Sequence, residues 1–267
     1  MMRVGIVGLG TIGRAMCQAI DRDEVDVQLV GVTTRGRERA QAFLDGLRHP
    51  PPLLDLDELI RQSELVIEAA TQEALETLAP CTLQQGKDLL VLSVGGLLEH
   101  AEWIELAQRT GNRIYVPSGA IVGLDGVKGG AMGDITSITM TTRKPPKGLA
   151  GAPYVVEHRL DLDALTAETV IFEGSAREAC RGFPANVNIS AALSLAGIGP
   201  DRTRVRIIAV PGGTRNVHDI EVVGEFGCFT IHLENVPTES NPRTGKLAYL
   251  SALAMLKELA SPLKVGT

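Results

Sequence analysis

Short apolar runs alternate with longer amphipathic stretches through the N-terminal half of the chain. Val4 to Val7 reads as a buried strand. Residues 11 to 21 follow with Ile12, Ala15, Met16, Ala19 and Ile20 at helical spacing. Val27 to Thr33 is a second strand, and residues 37 to 47 form a helix that His49-Pro-Pro-Pro52 stops. Leu54 to Gln62 is helical, with Asp55 or Asp57 near its start. The runs 65–70, 88–94 and 112–117 are strands, separated by helices over 73–83 and 98–108. One-for-one alternation predicts a doubly wound parallel sheet. Ligands of such sheets bind beyond the carboxyl ends of the strands. Segments 8–13, 33–37, 69–72, 93–96 and 118–124 are therefore expected to line one cleft.

The pattern changes after Pro117. Gly119 to Gly126 is glycine-rich and reads as a crossing between domains. Ile135 to Thr142 is strand-like, 144–153 a loop, and Val170 to Glu173 a strand. Ser175-Ala-Arg-Glu178 fits a capping box, and 186–196 a helix of small residues. Strands follow near 203–210, 216–223 and 227–235. The second half is thus expected to be an α+β domain on a mixed or antiparallel sheet. A last helix, 246–259, carries Leu247, Leu250, Leu253, Ala254 and Leu256 on its apolar side and should return to the first domain. The expected division is 1–118, completed by 241–267, and 119–240, the domain for substrate, catalysis and dimerisation.

The first turn adds chemistry to this pattern. Gly8, Gly10 and Gly13 have G-x-G-x-x-G spacing between a strand and a helix, the Rossmann arrangement. The first glycine permits the turn, the second lets the backbone approach a pyrophosphate, and the third lets helix and strand approach closely. Thr11 and Ile12 open the helix, whose N-terminal N–H groups and dipole favour phosphate. Ala70, in segment 69–72, belongs to the same cofactor cleft. Many NAD-specific folds place Asp or Glu at the end of the second strand. Here Thr33-Thr34-Arg35-Gly36-Arg37 stands instead. Hydroxyls and guanidinium groups suit a 2′-phosphate, so Thr34 and Arg35 favour NADP, with NAD as the alternative. The other reading of Arg35 and Arg37 is a solvated helix start.

Composition narrows the class. The chain has 267 residues, a net charge of −6 and 44% hydrophobic residues, as a globular enzyme does. The acidic balance argues against nucleic acid. No run approaches the ~20 apolar residues of a membrane span, and no signal peptide precedes the first strand. Cys17, Cys81, Cys180 and Cys228 are scattered, which points to reduced thiols in a cytoplasmic protein with neither disulfides nor a metal site.

The second half is more specific. Pro117-Ser-Gly-Ala-Ile-Val-Gly-Leu-Asp125, Phe183-Pro-Ala-Asn-Val-Asn188 with Ala191 to Gly197, Asn216-Val-His-Asp219 and Ser240-Asn-Pro-Arg-Thr244 occur in that order. Together they resemble the L-aspartate dehydrogenase family over essentially the whole chain. The resemblance implies NAD(P)-dependent oxidation of L-aspartate to iminoaspartate, which hydrolyses to oxaloacetate and ammonia or feeds quinolinate synthesis in NAD production. It also implies a homodimer, cofactor contacts at Ala120 and Asn186, and an active-site residue at His218.

The residues themselves agree in part. Hydride departure from an α-carbon is helped by a base that takes the amine proton, and histidine suits this task. His218 shares strand parity with Asn216, Ile220 and Val222 and should face inward, whereas Asp219 should face the other way. Asn186 has a second reading as a helix cap. The two substrate carboxylates need cations or N–H groups. Asn188, Arg215 and Arg243 are candidates by position, as is Lys128, and each also reads as an ordinary surface residue. Two alternatives stay open: another two-domain NAD(P) oxidoreductase acting on sugars, homoserine or dihydrodipicolinate, and a dinucleotide sensor without turnover.

Overall fold

The computed structural model describes residues 1–184, 188–236, 238 and 245–267; Asn186 and Arg243 lie outside the described residues. The chain divides into two compact units, Met1–Pro117 with Tyr249–Lys264, and Ser118–Ala248 with Val265–Thr267.

The first unit runs β1 (Met2–Val7), α1 (Thr11–Asp21), β2 (Val27–Thr33), α2 (Arg37–Leu44), α3 (Leu56–Gln62), β3 (Leu65–Glu68), α4 (Gln72–Gln84), β4 (Asp88–Val91), a 3-10 turn (Val94–Leu98), α5 (Ala101–Thr110) and β5 (Ile114–Tyr115). Its strands pair in parallel in the order β2-β1-β3-β4-β5. This is the doubly wound sheet that the alternation predicts. All four residues of β3 are buried, as expected of a strand covered on both faces. Side-chain caps start the helices that follow. Asp55 accepts from the Glu58 N–H at 2.8 Å at α3, and Thr71 accepts from the Ala74 N–H at 3.2 Å at α4.

The second unit runs α6 (Leu124–Gly130), β6 (Ile135–Lys144), α7 (Pro146–Leu149), α8 (Pro153–Glu157), β7 (Thr169–Ser175), α9 (Ala176–Gly182), α10 (Asn188–Ala196), β8 (Arg204–Ala209), β9 (Asn216–Gly224) and β10 (Gly227–Asn235). The sheet order is β10-β9-β6-β8-β7. β6 and β8 are parallel and the other pairs antiparallel, so the sheet is mixed. Ile138, Met140, Ile220 and Val222 on its inner face form a core with Val127 of α6 and with Ile189 and Leu193 of α10. The capping box at Ser175 and Glu178 is present.

Three local expectations change. The glycine-rich crossing runs on into a helix, α6, after Gly123 turns the chain through a left-handed φ of 79°. The loop expected over 144–153 contains α7 and begins α8, and each starts on a proline. Proline suits that first position because its missing N–H has no partner to lose there. The last helix, α11 (Lys246–Ala260), turns a different stripe inward. Ala252, Leu253, Met255, Leu256 and Leu259 meet the first unit's core, while Leu250 is 48% exposed and Ala254 is also exposed. The stripe follows i, i+4, i+7 spacing from Ala252, which leaves Leu250 on the far side.

Candidate active site

A cleft of about 1060 Å³ opens in the first unit at the carboxyl ends of β1, β2 and β3. The three glycines of the turn from β1 into α1 differ in what they leave room for. Gly8 has φ +99°, and a Cβ there would lie 2.5 Å from the Ala69 carbonyl oxygen. A Cβ on Gly13 would lie 2.1 Å from the Gly8 carbonyl oxygen. On Gly10 it would project into open space, with Ala69 O the nearest atom at 4.0 Å. Gly10 also caps α1, and having no side chain it places no oxygen of its own over the first turn. Two glycines are demanded by the turn itself and the third keeps a cradle clear. That arrangement fits a dinucleotide pyrophosphate.

Thr34, Arg35 and Arg39 line the same cleft near the end of β2, and Ala70 lines it after β3. Arg35 pairs with Glu73 at 3.3 Å, both side chains more than three-quarters exposed, a contact that solvent screens. Arg37 leaves the cleft and donates to the Leu53 carbonyl at 3.1 Å. Arg14 also lines the cleft, held by its Nε–H to Leu9 O at 3.0 Å and by the Phe43 ring beneath its guanidinium at 4.9 Å.

Glu68 closes β3 with a fully buried carboxylate. It accepts from the N–H groups of Ala70 (2.7 Å), Leu92 (3.1 Å) and Ser93 (2.8 Å) and from the Ser93 hydroxyl (2.9 Å). Burial pushes its carboxyl above the usual range against the pull of these donors. The contact draws segment 93–96 inward. Ser93 is buried, and so is every residue of the following 3-10 turn, so this segment does not line the cleft as expected.

In the second unit, the inner face of the sheet turns from apolar to polar along its length. Register sets His218 opposite Thr142 of β6 and Leu233 of β10, and Asn216 opposite Asn235. Lys144 lies two residues beyond Thr142 on the same face. Thr142, Lys144, Asn216, His218 and Asn235 are all buried. Thr142 Oγ1 is 3.1 Å from His218 Nδ1. With the proton on Nδ1, the ring donates to Thr142 and Nε2 carries the lone pair a base needs. Burial, followed by the charge of Lys144, lowers the His218 pKa to about 3, so the imidazole is neutral. Burial pulls the Lys144 ammonium down to about 8.

Ala120 belongs to this end of the sheet. Asn235 Nδ2 donates to its carbonyl at 2.8 Å, and a Cβ on the preceding Gly119 would meet Ile189 of α10 at 3.5 Å. Asn188, half-buried, is the first residue of α10. Asp219 faces outward, paired with Arg143 and with His232 at 2.6 Å. Arg215 pairs with Glu234, both half-exposed, and is not brought to His218; Lys128 is exposed on α6.

The C-terminal family model for aspartate dehydrogenase matches residues 125–259, and the homoserine dehydrogenase NAD-binding model matches residues 8–117. The L-aspartate dehydrogenase of Methanococcoides burtonii is 45% identical over 271 residues, covering 100% of both chains. That of Bradyrhizobium diazoefficiens is 46% identical over 266 residues, covering 100% of this chain and 94% of its own. The chain belongs to the L-aspartate dehydrogenase family. Among solved structures, the aspartate dehydrogenase of Thermotoga maritima shares the fold at 23% identity, with a TM-score of 0.74 and full coverage of both chains. A homoserine dehydrogenase from Thiobacillus denitrificans shares it at 14% identity, with a TM-score of 0.61 over 97% of this chain and 73% of its own.

As a member of the L-aspartate dehydrogenase family, the chain is an oxidoreductase with a nicotinamide-dinucleotide domain. Sequence reasoning missed Arg14, Arg39, Glu68 and Lys144. Arg14 and Arg39 each stand in the first turn after a loop of the cleft, a position that could have flagged them. For Lys144 the signal is parity, because the inward series Ile138, Met140, Thr142 continues to it.

Proposed function

We propose that this chain oxidises L-aspartate to iminoaspartate, with His218 as the base. The observation that carries the reading is the buried, neutral His218, oriented by Thr142 at the polar end of an otherwise apolar sheet face, in a chain of this family. The amine proton goes to His218 Nε2 as Cα–H leaves with its electron pair. A bound oxidised nicotinamide would supply the hydride acceptor, the products being iminoaspartate, reduced dinucleotide and one proton. Gly8, Gly10, Thr11, Ile12 and Gly13 would hold the pyrophosphate, with Ala70, Ala120 and Asn186 as further contacts. Thr34, Arg35 and Arg39 around the end of β2, where no acid stands, support NADP over NAD. Asn188 and Arg243 remain our candidates for substrate contact, and Arg215 would have to exchange Glu234 for substrate.

Iminoaspartate then hydrolyses to oxaloacetate and ammonia or supplies quinolinate synthesis. We assign the chain to the cytoplasm on its scattered cysteines, and to a homodimer on the family resemblance. Light scattering on purified protein tests the dimer.

The central test is turnover. Purified protein is given NAD⁺ or NADP⁺ with L-aspartate, other L-amino acids, homoserine and inositols at alkaline pH, and reduced nicotinamide is followed at 340 nm. L-Aspartate should be the best substrate. No turnover of it with either cofactor would sink the reading.

A further inference from the structure

Among the described strand residues of the second sheet, the cations are Arg143, Lys144, Arg204 and Arg206. Arg143 pairs with Asp219 on the outer face. Arg206 pairs with Glu173, and both Arg204 and Arg206 are exposed. Lys144 alone of these four lies on the inner face with His218, and it is only 4% exposed. Its row is offset from that of His218 by two residues, about 7 Å along the strand. Side chains at such diagonal positions remain within reach of one another when one of them is long. The electrostatic influence of Lys144 on His218 reflects that proximity.

We infer that the Lys144 ammonium receives one carboxylate of the dicarboxylic substrate and so positions the substrate's amine at His218. The inference rests on the L-aspartate reading above. A carboxylate and a buried ammonium form a short, charge-assisted hydrogen bond. Its arrival also counters the positive charge that disfavours protonation of His218. That charge is the smaller of the two causes that lower the proton affinity of His218, burial being the larger. Asn216 and Asn235, on the same face, add neutral amide groups, that of Asn235 already donating to the Ala120 carbonyl.

Lys144→Met, Lys144→Gln and Lys144→Arg separate charge from shape. The probe is succinate, a dicarboxylate without an amine. The neutral variants should raise both KM for L-aspartate and the succinate inhibition constant about a hundredfold. Lys144→Arg should hold both within about tenfold, because it keeps the charge. Binding of reduced dinucleotide, read by its fluorescence, should be unchanged in all three. Wild-type KM and inhibition constants in Lys144→Gln would overturn the inference, as would an equal loss of dinucleotide binding. If Lys144→Met fails to fold, the Gln and Arg variants decide. If the wild type does not turn over L-aspartate, the function reading fails by itself. Calorimetric binding of succinate to wild type, and its loss in Lys144→Gln, would still support the carboxylate site, and equal binding by both would reject it.

Discussion

Thr142 and His218 face each other across β6 and β9, with Oγ1 3.1 Å from Nδ1, and both side chains are buried. The pairing leaves the far ring nitrogen as the only one available for chemistry. His218→Ala should lower kcat by about 10²–10⁴-fold, the usual contribution of a general base. Dinucleotide affinity should be nearly intact. Thr142→Val removes the orienting hydroxyl at almost constant volume and leaves Nδ1 buried without it. It should lower kcat more than it raises KM, and cost about 1–3 kcal/mol of stability. Steady-state kinetics and urea unfolding read the two effects.

The same burial predicts a pH dependence of folding. The folded state holds His218 neutral down to about 3, against 6.5 for an ordinary histidine, through burial and then the charge of Lys144. Between those values the unfolded chain binds a proton that the folded chain refuses. Stability is therefore full above pH 6.5 and falls as pH drops through this window, by at most about 1.4 kcal/mol per pH unit. His232 acts in the opposite direction, since Asp219 and then Glu234 raise its proton affinity. The check is the difference between wild type and His218→Gln from pH 6.5 to 5, above the range where most carboxylates protonate. The variant should show the shallower loss, and parallel curves would contradict a neutral buried His218.

Gly10 and Gly13 should fail in different ways. Gly13→Ala sets a methyl group 2.1 Å from a backbone oxygen, so α1 must shift and the unfolding midpoint should fall. Gly10→Ala meets nothing closer than 4.0 Å, so the fold should survive while dinucleotide affinity drops. Thermal melts set beside fluorescence titration with reduced dinucleotide distinguish the two.

Arg39 should read the cofactor's 2′-phosphate together with Arg35. Arg39→Ala and Arg35→Ala should each raise KM for NADP⁺ several-fold more than KM for NAD⁺, as expected for loss of a charge-assisted contact to phosphate. Arg37→Ala should not discriminate, because Arg37 is committed to the Leu53 carbonyl. Equal losses for both cofactors would mean that neither Arg35 nor Arg39 contacts that phosphate.

Glu68 ties the ends of β3 and β4 together. Glu68→Leu strands the N–H groups of Ala70 and Ser93, at about 1–3 kcal/mol for each that finds no water, while the Leu92 N–H keeps the Glu68 backbone carbonyl as acceptor. Glu68→Gln keeps one acceptor oxygen and should lie between the variant and wild type in urea midpoint. A leucine variant as stable as wild type would show that the loops hold without the carboxylate.

Much of this was written locally. The first half alternates apolar and amphipathic stretches at their own periods, and its order of elements follows from that. Parity placed His218 inward and Asp219 outward without reference to any partner strand. Lys144 escapes a local reading because Arg, Lys and Pro after Thr142 signal the end of the strand. Parallel pairing with β8 carries β6 two residues further. Leu250 departs from expectation because α11 contains more apolar residues than one stripe can bury. The core it meets selected Ala252 and Leu256.

The sequence by itself determined the doubly wound first unit, the glycine turn and the facing of His218, since each depends on spacing within a few residues. Only the tertiary structure decided which cations remain near the cleft and which are engaged elsewhere. It also decided that a buried carboxylate joins two loops and that a lysine shares the histidine's face. Those features depend on residues tens of positions apart, such as Glu68 with Ser93 and Thr142 with His218. Hydrophobic periodicity says which way a side chain points, but the partner it meets and the solvent it loses are set by the packing of the other elements.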